Sequence, residues 1–370
     1  VASVELRNVW KIYKGDVEAV KNVSWKCEDR EFFSILGPSG CGKSSSLRMI
    51  AGLEEITKGE IIFNDRVVNH LRPKERNVAM VFENWALYPN LSVYENIAFP
   101  LRARNMPKNI IDEKVKAAAR FLDLEGILHK NAQRLSGGEM QRVSIGRAIV
   151  REPDVLIMDE PISHLDASLR ARMREELKTQ VSRLGVTTLY ITHDQVESMA
   201  MADRIAVMNQ GEIQQIGTPL EIYHHPYTEF VAGFIGEPPA NFVDVEVFVE
   251  KEKHFIKCSA FSFELNKFWS KQFDSKRENR IRMGVRPEDI GISFEATENC
   301  CGLLVDFVEI QGDRTIITLK VGDQLFLSEV LGDIRPETGQ TIYVKFNQDN
   351  IHFFSLEDGK NLFFDAEMKS

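Results

Sequence analysis

From the first residues to about Gly233, short apolar runs alternate with helix-forming stretches. F-F-S-I-L (32–36), V-A-M-V-F (78–82), V-L-I-M-D (155–159) and T-T-L-Y-I-T (187–192) are the clearest runs. Short apolar runs set between helical stretches predict a buried, largely parallel sheet. Between roughly Asn96 and Arg151 the pattern is mostly helical, and Val115, Ala118, Ala119 and Leu122 recur at helical spacing within 110–124. The character changes near G-E-P-P-A-N-F (236–242), where paired prolines stop regular structure. Beyond it, V-D-V-E-V-F-V, T-I-I-T-L-K-V and T-I-Y-V-K-F are separated by turn residues such as G-D and N-Q-D-N. These predict a separate small β-barrel or sandwich, with V-E-I-Q-G-D-R-T-I-I (308–317) as a strand–turn–strand unit. The expected division is an α/β domain over 1–235 and a β-rich domain over 236–370.

A length of 370 residues exceeds the usual single core and fits two domains. With 43% hydrophobic and 27% charged residues the mixture is that of an ordinary globular protein. No run of eighteen or more apolar residues occurs, so no membrane span is expected. The opening V-A-S-V-E-L-R-N-V-W has no basic stretch followed by an apolar core, and no signal peptide is expected there. A formal net charge of −9, without a Lys/Arg block, argues against nucleic acid as a partner. The five cysteines (Cys27, Cys41, Cys258, Cys300, Cys301) are scattered, odd in number and without a C-x-x-C pair. That fits a reducing compartment better than a disulfide framework.

The run at 32–36 leads into G-P-S-G-C-G-K-S (37–44), a G-x-x-x-x-G-K-S loop with helix-like S-S-L-R-M-I after it. Glycines let the backbone wrap an anion with its amides pointing inward, and the helix start adds a favourable dipole. Ser39, Gly40, Cys41, Gly42, Lys43, Ser44 and Ser45 are the expected ATP contacts. Lys43 is expected to reach the β- and γ-phosphates and Ser44 to ligate Mg²⁺. V-L-I-M-D-E-P (155–161) is an apolar strand ending in two acids, which buried strands rarely carry without a cation or a catalytic role. Asp159 is expected to hold Mg²⁺ through its water shell, and Glu160 to polarise the attacking water as general base.

L-S-G-G-E-M-Q-R (135–142) resembles the signature of ATP-binding cassette (ABC) ATPases, and the surrounding motifs fall in that family's order over essentially the whole chain. The resemblance implies a P-loop NTPase cassette: a RecA-like parallel sheet core, an antiparallel β subdomain and a helical subdomain at about 90–152. An all-β TOBE or OB-like domain follows. By the same resemblance Tyr13 stacks on adenine, and V-F-E-N-W-A-L-Y-P (81–89) is the Q-loop, with Glu83 as a further Mg²⁺ ligand. P-I-S-H-L-D (161–166) is the D-loop ending in Asp166, and His193 of I-T-H-D is the switch histidine that senses the γ-phosphate. Ser136, Gly137, Gly138 and Glu139 open a helix that faces the γ-phosphate held by a partner subunit. Two nucleotides are then sandwiched between two cassettes, in a homodimer or a heterodimer with a related cassette. Their closing and opening drives a partner in the membrane.

Three positions depart from the family pattern. Glu83 stands where Gln is usual. A carboxylate there is a strong Mg²⁺ ligand and, without Mg²⁺, repels the triphosphate, so ATP binding is expected to be unusually Mg²⁺-dependent. Glu139 also replaces the usual Gln, but Ser136, Gly137 and Gly138 are intact and the phosphate contact is expected to survive. His164 stands where small or amide residues are common, and the sequence assigns it no role.

F-I-G-E-P-P-A-N-F (234–242) is similar to the junction of MalK-like subunits of carbohydrate importers, and M-G-V-R-P-E-D-I (283–290) resembles a motif of their C-terminal TOBE domain. The resemblance implies an ATP-hydrolysing subunit of an importer for mono- or oligosaccharides. It would work peripherally on the cytoplasmic face of the cell membrane, bound to integral-membrane permease subunits, with an extracytoplasmic solute-binding protein as indirect partner. The alternative is the same motor for a polyamine, iron, molybdate or another oxyanion. ABC ATPases of DNA repair carry long coiled-coil insertions, and translation-associated ones carry two cassettes; this chain has neither. Intact Lys43, Asp159, Glu160 and His193 argue against a purely regulatory role.

Overall fold

The runs at 32–36, 155–159 and 187–192 are strands buried along almost every residue, as expected for a sheet covered on both faces. The computed structural model describes residues 1–274 and 279–364. Residues 275–278 and 365–370, part of the expected C-terminal domain, lie outside the described residues. The chain divides into two compact units, Val1–Pro219 and Leu220–Ser370.

The first unit contains, in chain order, β1 (Val4–Tyr13), β2 (Val17–Cys27), β3 (Phe32–Leu36), α1 (Lys43–Ala51), β4 (Lys58–Phe63), β5 (Arg66–Val67) and β6 (Val78–Val81). The helices α2 (Val93–Arg102), α3 (Lys108–Phe121) and α4 (Gly137–Ile149) follow. Then come β7 (Val155–Asp159), α5 (Ala167–Leu184), β8 (Thr187–Thr192), α6 (Gln195–Met201), β9 (Arg204–Asn209) and β10 (Glu212–Gly217). The central sheet has the order β10-β9-β3-β8-β7-β6. It is parallel from β9 to β6 and gains one antiparallel edge strand, β10. A second sheet, β2-β1-β4-β5, is antiparallel throughout. Both sheets contribute to one apolar core, in which Trp25 of β2 stacks on Phe33 of β3 with ring centroids 4.9 Å apart. Burying a side chain of that size contributes roughly 1.5–3 kcal/mol. On α3, Val115, Ala118 and Ala119 form the buried stripe that their spacing predicts.

The second unit starts with α7 (Pro219–His224), which begins at the boundary, and α8 (Glu229–Phe234). The compact units thus divide at 219/220, ahead of the proline pair that marks 235/236 in the sequence. The prolines interrupt the chain there, but α8 is already tied into the C-terminal unit. Glu229 N–H donates to Gly359 O at 2.8 Å, and Arg282 pairs with Glu229 at 2.8 Å. Strands β11 (Asn241–Glu250), β12 (Lys253–Lys257), β13 (Ser262–Glu264), β14 (Arg280–Val285), β15 (Ile290–Ser293), β16 (Cys301–Ile310), β17 (Arg314–Val321), β18 (Gln324–Leu331), β19 (Thr341–Phe346) and β20 (His352–Phe354) form two sheets. Their orders are β13-β12-β11-β14-β20 and β15-β19-β16-β17-β18, and both sheets feed one apolar core. The TOBE-type β architecture expected here is present, and one short helix, α9 (Lys267–Phe273), capped by Asn266, adds Trp269 and Phe273 to its core.

Candidate functional site

Residues 37–42 join β3 to α1 and are approached closely by backbone at two points. A Cβ on Gly37 would meet Met208 O at 2.2 Å, and one on Gly42, whose φ is 107°, would meet Ala19 O at 2.3 Å. Only glycine fits either place. The Gly211 N–H donates to Cys41 O at 3.0 Å. Burial pushes the Cys41 thiol up, so it acts as a small neutral filler under the loop. Lys43 is buried, and its ammonium donates to Gly37 O at 2.8 Å and Pro38 O at 2.9 Å. Ser39, Gly40 and Ser44 are exposed. Tyr13, half-exposed at the end of β1, has its hydroxyl 3.1 Å from Ser45 Oγ and donates to Glu54. Lys11 Nζ sits 4.9 Å from the Tyr13 ring centroid.

The strands β3, β8 and β7 are parallel neighbours, so their C-terminal ends share one edge of the sheet. The loop, Asp159–Glu160 and His193 all leave from that edge, where open α/β sheets bind their ligands. Glu160 adopts φ 46°, its N–H donates to Ile191 O at 2.9 Å, and its carbonyl accepts from Ser163 Oγ at 2.9 Å. A left-handed non-glycine residue costs on the order of 1–3 kcal/mol. Here the turn lifts the carboxylate out of the ladder and sets Glu160 Oε2 2.9 Å from His193 Nδ1. Burial pushes the Asp159 carboxyl up, and the nearby negative charges of Glu160 and Glu83 push it further. Three acids therefore converge on one edge, with Lys43 and Arg48 as the opposing charges.

A second cluster sits at the head of α4. Ser136 is its N-cap: Glu139 N–H donates to Ser136 Oγ at 3.4 Å, and Ser136 N–H donates to Glu139 Oε2 at 2.8 Å. These bonds, with Lys130 at 3.2 Å, hold the Glu139 carboxyl below its usual range. The acid at this departure thus completes a capping box and leaves Gly137 and Gly138 at the helix start. Asp166 caps α5 through the Leu169 N–H at 3.0 Å.

The segment 82–88 links the two clusters. Trp85 and Ala86 both have positive φ, at 56° and 45°. Their carbonyls are held by α4: Ser144 Oγ and Arg147 donate to Trp85 O at 3.1 and 2.7 Å, and Arg147 also donates to Ala86 O at 2.5 Å. On its other side this segment meets the loop 161–166, where His164 Nε2 lies 3.6 Å from Glu83 Oε1. Sequence reasoning missed Ser144 and Arg147, which carry no signal beyond their place in a helix.

Residues 20–163 match the family described as ABC transporter, and residues 283–354 match the TOBE domain. The chain is 45% identical over 98% of its length to the trehalose/maltose import ATP-binding protein MalK of Thermococcus litoralis, covering all of that protein. The chain belongs to the ABC transporter family. Like the other ATP-binding subunits of that family it is an ATPase. It is also 42% identical, over 98% of its length and the whole of the relative, to the sn-glycerol-3-phosphate import ATP-binding protein UgpC of Escherichia coli K12. Among solved structures, cbiO1 of Clostridium perfringens, part of an ABC transporter complex, superposes with a TM-score of 0.55 at 27% identity, covering 59% of this chain and 89% of that one. A dimeric bacterial ABC transporter cassette gives a TM-score of 0.51 at 30% identity, covering 58% of this chain and 98% of that one. The ABC cassette fold is thereby established for the first unit. No helix among the described residues is long and apolar enough to cross a membrane.

Proposed function

We propose that this ABC ATPase is the motor of a carbohydrate importer, and that it works as a pair of cassettes closing on ATP. The observation that carries the reading is the gathering of the glycine loop, Asp159, Glu160 and His193 at one edge of the parallel sheet. The solute class follows the trehalose/maltose relative. The sn-glycerol-3-phosphate relatives favour a second reading, import of a phosphorylated polyol.

In this reading the loop amides and Lys43 bind the β- and γ-phosphates, and Tyr13 lies against adenine. Glu160 takes the proton of the attacking water, and His193, 2.9 Å away, orients that carboxylate and meets the γ-phosphate. Ser136, Gly137 and Gly138 face the triphosphate of the partner copy, with Glu139 and Asp166 fixing the local helix ends. The hydroxyl of Ser44 and the carboxylates of Asp159 and Glu83 are hard oxygen donors suited to Mg²⁺, and the raised Asp159 carboxyl marks an acidic cluster that a cation would relieve. Among the described residues no three His, Cys, Asp or Glu side chains are grouped to hold an ion alone. Phosphate oxygens and water would supply the remaining ligands, and the cation would supply charge neutralisation.

A groove of about 250 Å³ beside the segment 82–88, lined by Met80, Phe82, Tyr88, Phe99 and Pro100 among others, is suited to a short helix of a permease subunit on the cytoplasmic face of the membrane. An external solute-binding protein would act through that permease. The junction at 234–242 serves to hold the second unit together. Asn241 accepts from Leu327 N–H at 2.6 Å and donates to Leu327 O at 2.8 Å, and the buried Arg286 donates to Ile235 O at 2.5 Å. The solute itself would be contacted by the permease and the external binding protein, not by this chain. Uptake of labelled trehalose, maltose and sn-glycerol-3-phosphate by cells carrying Lys43→Ala in place of the wild-type chain tests the reading. Loss of disaccharide uptake alone is the expected result; loss of glycerol phosphate uptake alone would establish the second reading.

A further inference from the structure

Two of the three departures from the family pattern, Glu83 and His164, lie on different loops far apart in the chain, yet their side chains meet at 3.6 Å between Oε1 and Nε2. The His164 ring also stands edge-on to Trp85, with centroids 6.4 Å apart and planes at 81°. Trp85 is in turn fixed by Ser144 and Arg147. The imidazole is thus supported on one side and presented to the carboxylate on the other. Glu83 brings a third negative charge to an edge already holding Asp159 and Glu160. A carboxylate in that place, facing a triphosphate, needs either a cation or a local partner to limit repulsion.

We propose that Glu83 and His164 form one matched unit, in which His164 is a positioning residue. When no cation bridges them, it draws the Glu83 carboxylate toward the loop 161–166 and so lessens, without abolishing, its repulsion of the triphosphate, and the two departures compensate each other. The idea rests on the ATP-site reading given above. It gives His164 a part in nucleotide binding through Glu83, without contact to the reacting atoms.

The test is a double-mutant cycle on the full chain: wild type, Glu83→Gln, His164→Asn and the double variant. Affinity for a fluorescent ATP analogue is measured in EDTA and in Mg²⁺, with thermal unfolding of each variant as a check on folding. Both side chains are about half exposed, so the coupling is modest, on the order of three- to fivefold in affinity. In EDTA, His164→Asn alone should weaken binding by that factor, because Glu83 is released toward the phosphates. In the Glu83→Gln background the same substitution should change affinity by less than about 1.5-fold. Equal effects of His164→Asn in both backgrounds, or none in either, would overturn the proposal while leaving the ATP-site reading intact. A wild-type chain that fails to bind the analogue in Mg²⁺ would instead overturn the ATP-site reading itself. Restored affinity in the double variant, with unfolding midpoints alike across the cycle, separates positioning from a merely structural role.

Discussion

Nδ1 of His193 stands 2.9 Å from Oε2 of Glu160, across the ends of two adjacent parallel strands. That contact orients the carboxylate without consuming its second oxygen. On the proposed mechanism, replacing Glu160 by Gln keeps the shape and removes the base. ATP turnover should fall by about 10²-fold or more, the usual contribution of a positioned general base. Nucleotide affinity should stay within a few-fold, and the variant should accumulate as an ATP-held dimer in light scattering. Turnover equal to wild type would remove Glu160 from the mechanism.

Gly42→Ala tests the loop. Its φ of 107° and the 2.3 Å approach to Ala19 O leave no room for a methyl group. A loss of stability of about 1–3 kcal/mol is expected, from backbone strain and overpacking together. Chemical denaturation of the variant measures it, and ATP affinity should fall in parallel. Gly40, at φ 78° but with open space around it, should respond through strain alone.

The raised Asp159 carboxyl carries a prediction of opposite sign for stability. An acid whose folded value lies above its unfolded one binds its proton more readily in the fold. Its ionisation therefore costs stability as pH rises through and beyond that window. At neutral pH without Mg²⁺, Asp159→Asn should raise the unfolding midpoint, by ~2–4 °C if about 1 kcal/mol is recovered. The same variant should lose Mg²⁺-stimulated ATP turnover. A lowered midpoint would show that Asp159 is stabilised by partners outside the acidic cluster.

Chelation of Mg²⁺ should weaken ATP binding to the wild type by at least about threefold more than to Glu83→Gln, because the carboxylate repels the uncovered triphosphate. Isothermal titration with and without EDTA reads the difference. Equal losses in both proteins would refute the role of Glu83.

In the second unit, burial and then Arg286, His225 and His224 push the His352 imidazole down to about 3. A histidine in the unfolded chain titrates near 6.5, so the unfolded state takes up the proton first as pH falls. The contribution of the neutral ring is complete above about 6.5 and fades toward about 3. His352→Phe, beside Phe354 at 6.3 Å, should flatten the loss of stability between about pH 7 and about pH 5. Urea midpoints across that range measure it; an unchanged slope would assign the acid sensitivity elsewhere.

Much of this was legible in the chain because the deciding signals are local. The run at 32–36 and the glycines after it sit side by side in sequence, as do the apolar strand and two acids at 155–160. The turn that aims Glu160 was not legible, since nothing in its residue type calls for a positive φ. Helix α9 escaped because K-F-W-S-K-Q-F is short and rich in aromatics that equally suit a strand; Asn266 as its cap was the available clue. That the segment ahead of the prolines groups with the C-terminal unit was not legible, because contacts such as Arg286 with Tyr223 O and Ile235 O form only in the fold. His164 had no role on paper because its partner lies on another loop, brought near only by the folded sheet edge.

The loop at 37–42 is seated against β9 of the central sheet at Gly37 and against β2 of the antiparallel sheet at Gly42. It therefore acts as a washer between two plates. On the ATP-site reading, a nucleotide seated there would rest against both sheets at once, and with no space for a Cβ at either glycine a shift of either sheet would move the seat.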